Sequence, residues 1–288
     1  MTENANLYKV SDTAALVMLW ASSYYATNPL ISTYLKKLDL SSGMQLLQRY
    51  NDICPWYSEV IINRKHFIKN TVETLVGRNT KQTIIINLGA GFSPLALELA
   101  PLLGDRTRFI EIDMKNMSRK HELYAELVPD RCRFITDIEA DIADTACLKD
   151  VLTHEMDDLA CTRLIVVMEG LTYYISRPAM ERVLECLSDL VSDLSIVFEH
   201  LKPCHLISDE RRFIPYKIFS HVRDYTAMDR MTTYSEDEIR AILGPGFSYS
   251  YYEMDKMEKR RTGSCRYFPV PDSGWFSCAI AERGHETG

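Results

Sequence analysis

At 288 residues the chain is long enough for one large domain with a full core, and its 46% hydrophobic and 25% charged content is ordinary for a soluble globular protein. A net charge of −7 excludes the broad basic face of a general nucleic-acid binder. The eight cysteines form no C-x-x-C pair and the seven histidines no H-x-x-x-H spacing, so neither a disulfide framework nor a metal site is expected.

Residues 1–75 read as helices. Ser11-Asp12-Thr13 offers an N-cap for Ala14–Ala26, and Ser41-Ser42 another for Met44–Tyr50. Trp56–Leu75 places Val60, Ile61, Phe67, Ile68, Val72 and Leu75 near helical spacing. No basic segment precedes an apolar core at the start, and Ala14–Trp20 falls short of the roughly 20 residues that span a bilayer. A cytoplasmic protein without membrane contact is expected. Gly77-Arg78-Asn79-Thr80 then punctuates the chain.

Ile84-Ile85-Ile86 opens a buried parallel strand, and Leu88-Gly89-Ala90-Gly91 a turn where backbone can approach a ligand closely. Ser93 reads as an N-cap and Pro94 as a first-turn residue of a helix with Leu95, Leu99 and Leu102 on its apolar face. Pro94 stands where a dinucleotide fingerprint has its third glycine, so the turn suits a ligand without phosphate, such as S-adenosylmethionine. Asp113 ends the second strand, Phe109–Asp113, where an acid accepts from ribose hydroxyls; the bland alternative is a helix cap.

A third strand, Arg133–Thr136, leads to Asp141 and Ile142, candidates for an adenine amino group and ring, and to Asp144, a helix cap. The fourth, Leu164–Met168, delivers Glu169 and Gly170 to the same edge. Ser195–Phe198, the fifth, presents Glu199 and His200. Helices are expected at 114–127, 145–155 and 177–191. Pro203, Pro215 and many aromatics make 201–234 an inserted cover, in which Tyr216, Phe219, Tyr225 and Met228 fit an apolar acceptor pocket or plain packing. Ser235-Glu236-Asp237-Glu238 starts a helix that Gly244-Pro245-Gly246 ends; Phe247–Met254 and Trp275–Glu282 follow as an antiparallel edge pair. The basic cluster Lys256, Lys259, Arg260 and Arg261 reads as a solvated strand or loop end.

The succession Asn-Leu-Gly-Ala-Gly-Phe, Glu-Ile-Asp-Met, Ala-Asp-Ile and Met-Glu-Gly-Leu-Thr-Tyr-Tyr-Ile resembles the leucine carboxyl methyltransferase family, whose bacterial branch includes O-methyltransferases of polyketide pathways. The likeness runs from about Ile61 to His200, and Ile62-Asn63-Arg64-Lys65 resembles the family's helical Arg segment. It implies a class I methyltransferase fold: an α/β, doubly wound, Rossmann-like sheet of seven strands with an antiparallel edge pair and a helical N-terminal cap. It also implies S-adenosylmethionine as donor and S-adenosylhomocysteine as product. Four regions are expected: a cap at 1–78, the donor-binding core at 79–200, the inserted lid at 201–234, and the rest of the core at 235–288.

Expected at the donor are Arg64 on its carboxylate, Asn87, Gly89, Ala90, Gly91, Asp113, Asp141, Ile142, Glu169 and Gly170. Many relatives carry Asp where this chain has Asn87, which supplies no charge for the donor's ammonium. Tyr173 and Tyr174 are expected to line the channel between donor and acceptor, with core packing the alternative for one of them; Tyr173 and His200 are the catalytic candidates, and His200 is either a general base or a core histidine. The expected function is O-methylation of a carboxylate or hydroxyl of a small-molecule or carrier-bound metabolite in biosynthesis, without nucleic-acid partners. Sulfur or nitrogen methylation, NAD-dependent oxidoreduction and non-catalytic donor binding are the alternatives.

Overall fold

The computed structural model describes residues 7–78, 81–156, 162–226 and 231–284, with backbone alone for 221–226. The chain opens with β1 (Tyr8–Lys9), α1 (Asp12–Trp20), α2 (Ser22–Tyr25), α3 (Pro29–Lys36), β2 (Leu38–Asp39), α4 (Ser41–Ile53) and α5 (Tyr57–Gly77). Strands and helices then alternate: β3 (Gln82–Leu88), α6 (Leu95–Glu98), β4 (Thr107–Asp113), α7 (Met117–Leu127), α8 (Pro129–Cys132), β5 (Ile135–Glu139), α9 (Thr145–Glu155), β6 (Thr162–Met168), α10 (Arg177–Leu190) and β7 (Asp193–Leu201). After them come α11 (Phe213–Thr226), α12 (Glu236–Leu243), β8 (Ser248–Glu253), α13 (Met254–Thr262) and β9 (Phe276–Arg283).

Among the described residues, seven strands form one sheet in the order β5-β4-β3-β6-β7-β9-β8. The first five run parallel, and β9 lies antiparallel to both β7 and β8. This is the expected class I methyltransferase arrangement with its antiparallel edge pair. Every residue of β6 and β7 is buried, because helices cover both faces of these central strands. Strand alternation divides the core in two. Ile85, Phe109, Ile165 and Val197 meet the helices of the first 77 residues, while Ile86, Ile110, Val166 and Phe198 meet α9, α10 and α12. The apolar stripe of α5 is buried as its spacing requires.

Several local expectations change. The N-terminal region is not purely helical: β1 and β2 make a short parallel pair, joined by Tyr8 N–H donating to the Lys37 carbonyl at 2.8 Å. The expected helix Ala14–Ala26 begins earlier, capped by Ser11, and is interrupted at Ala21. The helix after the glycine turn starts at Leu95 and lasts four residues, since Ser93 N–H bonds the Ala90 carbonyl and closes the turn instead of capping. The third strand starts at Ile135 because Pro129 opens the helical turn α8 just before it. The basic cluster belongs to α13, whose Met254, Met257 and Glu258 face inward. Asn79, Thr80, Met228 and the side chains of Tyr225 and His221 lie outside the described residues.

The helix start at Ser235 gains a full capping box: Ser235 Oγ accepts from Glu238 N–H at 3.2 Å, and Glu238 Oε2 accepts from Ser235 N–H at 2.8 Å. Ser235→Ala should lower unfolding stability by about 0.5–2 kcal/mol, read as a lower urea midpoint at unchanged slope.

Candidate functional site

Parallel register brings the strand ends to one edge. Leu88 pairs with Ile112 and Met168, Asp113 with Glu139, and Met168 with Phe198. The glycine turn, Asp113, Ala140, Glu169 and Glu199 therefore leave the sheet side by side, at the edge where open α/β sheets take ligands. The turn is folded onto the end of β4: Gly89 and Ala90 N–H groups donate to the Ile112 carbonyl at 2.9 and 3.1 Å. Gly89 has φ +68°, and a Cβ there would meet Leu171 Cδ1 at 2.9 Å. Only glycine suits this position, so its substitution would strain the fold as well as any ligand contact. Gly91 N–H donates to Asp113 Oδ2 at 2.9 Å, tying the turn to the acid.

Beside the turn lies a buried charge cluster. Arg64, from α5, is 3% exposed and forms a two-pronged ion pair with Glu199, whose Oε1 also accepts from Gly170 N–H at 2.7 Å. Burial works against the guanidinium charge, but Glu199, Tyr173 and Glu169 together more than offset this and hold Arg64 above its ordinary value. The next residue, Lys65, pairs with Glu169 at 2.6 Å, also out of water. Glu98, on α6, completes the cluster: burial pushes its carboxyl up to about 7, opposed by Lys65, with Tyr24 of α2 nearby. Two cations and three carboxyls thus share a water-poor edge.

Tyr173 is buried, its ring 4.7 Å from Tyr174 and 5.7 Å from both Phe219 and Phe276. Arg64 lies over Phe276 at 4.2 Å. An aromatic partition thereby separates the charge cluster from α11, which carries Phe219. Thr232 N–H donates to the Tyr173 carbonyl at 3.1 Å, so the chain at Thr232 lies on the loop that carries Tyr173.

Other sequence candidates sit elsewhere. His200 is fully buried on the opposite sheet face from Glu199, ringed by Phe198, Tyr234 and Tyr251. Burial lowers it to about 4 and removes the solvent access that a general base needs. The geometry favours the core-histidine reading. Ile142 is 6% exposed and packs in the second core, leaving little surface for an adenine ring. Asp141 is exposed and caps its own turn through Ala143 N–H at 2.9 Å, and Asp144 caps α9 as expected. Asn87 is buried one level below the edge, donating to Glu111 Oε1 at 3.2 Å while its Oδ1 has no hydrogen-bond partner.

Lys65 and Glu98 carry no individual signal in the sequence, although two adjacent bases in an apolar helix demand buried acids as partners. Glu199 was within reach. Residues 169 and 199 each follow the paired Met168 and Phe198, so they share a face that His200 cannot share. Among the described residues, no three His, Cys, Asp or Glu side chains could hold a metal ion, and no helix is long and apolar enough to cross a membrane.

The family model of leucine carboxyl methyltransferases matches residues 10–188. In fold the chain is similar to a DUF574 family protein from Streptomyces avermitilis MA-4680, with TM-score 0.65, 11% identity, and coverage of 84% of this chain and 91% of that one. It is also similar to a "putative methyltransferase" from Thermobifida fusca YX, with TM-score 0.63, 17% identity, and coverage of 85% and 89%. At these identities the two likenesses concern fold alone. No curated protein matches the chain.

Two stability effects follow from the cluster. Arg64→Met strands Glu199 without its cation and should cost about 3–5 kcal/mol in urea unfolding; Arg64→Met with Glu199→Gln should recover part of that loss. Glu98, raised from 4.5 to about 7, holds a proton that the unfolded chain releases earlier. Its contribution is complete below the unfolded value and is lost as pH rises through the folded one. Glu98→Gln should therefore match wild type in melting temperature at acidic pH and exceed it at alkaline pH. A gap of constant size across the range would contradict the buried-proton assignment.

Proposed function

Because the chain belongs to the leucine carboxyl methyltransferase family and is an S-adenosylmethionine-dependent methyltransferase, we propose that it methylates an oxygen, a carboxylate or hydroxyl, of a small-molecule acceptor. The observation that carries the donor side of this reading is the buried cluster Arg64–Glu199 and Lys65–Glu169 beside a turn with Gly89 at positive φ. A donor's amino-acid end carries one ammonium and one carboxylate. Two internal ion pairs, each a cation of α5 with a carboxylate at a strand end, can exchange partners with such a zwitterion without leaving a buried charge uncompensated.

In this reading Arg64 and Lys65 take the carboxylate, and Glu169 the ammonium. The turn residues Gly89, Ala90 and Gly91 allow close approach of the backbone. Asp113, with one oxygen on Gly91 N–H, keeps the other for a ribose hydroxyl. Gly170, at φ +71° and tied to Glu199, holds the loop that carries Tyr173. Asp141 lies at the edge for the adenine amino group; Ile142 needs to turn outward to meet the ring, and Asn87 acts through Glu111 instead of touching the ligand. Bound S-adenosylmethionine supplies a methyl group on a positively charged sulfur, activated for in-line displacement. The protein's work is to align the acceptor and exclude water, a role supported by the Tyr173–Phe219–Phe276 partition and by α11, which carries Phe219. The family's carboxyl chemistry supports oxygen as the acceptor atom.

Isothermal calorimetry tests the donor assignment. Wild type should bind S-adenosylmethionine and S-adenosylhomocysteine, and Asp113→Ala should weaken both by about 1–3 kcal/mol with the fold intact by circular dichroism. Unchanged affinity in the variant would remove Asp113 from the site.

A further inference from the structure

Beyond the aromatic partition lies a cavity of about 760 Å³, within the range of small-molecule sites. It opens between the end of β7, the turn that follows it, and α11. Its wall is mostly apolar, with Leu201, Ile207, Pro215, Phe219 and Met231 contributing. Phe219 connects it to the reaction edge, packing 5.7 Å from Tyr173 and 5.9 Å from Phe276.

Among the described residues, the charges on this wall are already engaged. Lys202, 3% exposed, gives its ammonium to Glu253 Oε1 at 2.6 Å and to the Pro271 carbonyl at 3.2 Å. Arg177 donates to Glu238 Oε1 at 2.8 Å and to the Thr233 carbonyl at 3.1 Å, and its guanidinium lies over Tyr234 at 5.1 Å. Glu238 in turn has both oxygens engaged, one by Arg177 and one by Ser235 N–H, and the Arg177 bond helps hold its carboxyl down at about 2. An anion entering this space would surrender its hydration and meet cations already neutralised. His205, on the turn after β7, is solvent-exposed and offers only a mouth-side contact.

We propose that this cavity binds the body of an uncharged, predominantly apolar acceptor, such as a ring-bearing alcohol or phenol, and discriminates against its carboxylate counterpart through the prior commitment of Lys202 and Arg177. This rests on the methyltransferase reading and narrows its acceptor from carboxylate or hydroxyl to hydroxyl, whose oxygen takes the methyl group from the donor sulfur as its proton passes to solvent at the mouth of the cavity. Phe219 and Met231 set the depth and width available to the ring.

The probes are 2-naphthol and 2-naphthoate, isosteric apart from the charged group, titrated by fluorescence into the full chain saturated with S-adenosylhomocysteine. The naphthol should bind saturably and the naphthoate at least about tenfold more weakly, because the anion is desolvated without a free partner. Glu253→Gln releases Lys202 and should narrow or invert that ratio. Met231→Trp fills the cavity and should reduce naphthol affinity about tenfold or more by overpacking, with S-adenosylhomocysteine affinity unchanged. Should Met231→Trp melt early, Ser220→Phe fills the same space from α11. Naphthoate binding as tight as naphthol, or naphthol binding that survives a filled cavity, overturns the proposal. Failure of wild type to bind S-adenosylhomocysteine would instead overturn the donor reading, so the two failures are distinct.

Discussion

The pairing of Arg64 with Glu199 underlies the arrangement of the whole site. Each group sealed from water alone would cost several kcal/mol, so neither α5 nor the end of β7 can take its place without the other. Glu199 also receives Gly170 N–H, and the Glu199 carbonyl accepts from Thr172 Oγ1 at 2.7 Å. The loop after β6 is therefore fastened to the neighbouring strand at two points. α5, buried along its length against both central strands, becomes the back wall of the site instead of an accessory helix.

A second polar layer lies one level deeper. Asn87, Glu111 and Asp137 stand at one register on β3, β4 and β5, with Lys120 at 2.7 Å and Tyr124 at 2.9 Å from Glu111 and His121 at 2.8 Å from Asp137. Burial raises the carboxyls of Glu111 and Asp137, to about 7 and about 6. These contacts anchor α7 directly behind Asp113, so the position of that acid depends on a buried network one layer beneath the edge.

Much of this was legible in the sequence for identifiable reasons. The runs Ile84–Ile86 and Leu164–Met168 are apolar and β-branched because both faces of those strands are covered, and strand–helix alternation then constrains the crossovers. The acids at strand ends are visible because parallel register places them together. Tertiary pairing is what local pattern cannot convey. Lys65 and Glu98 acquire significance only when α5 and α6 converge, and the β1–β2 pair joins segments separated by three helices. His200 misleads because two ionisable residues end the same strand, and alternation sends them to opposite faces. The α13 basic cluster misleads similarly: surface charge says nothing of the three inward side chains beneath it.

A donor held by its zwitterion must lose most of its affinity when that end is removed. The direct comparison is calorimetric, between S-adenosylhomocysteine and 5′-methylthioadenosine, which keeps the nucleoside and sulfur but lacks the amino and carboxyl groups. Partner exchange within the Arg64–Glu199 and Lys65–Glu169 cluster predicts binding weaker by about a hundredfold or more for the truncated ligand, as two charge-assisted contacts would supply. Affinities within about threefold of each other, a difference below 1 kcal/mol, would contradict a role for the cluster in holding the donor.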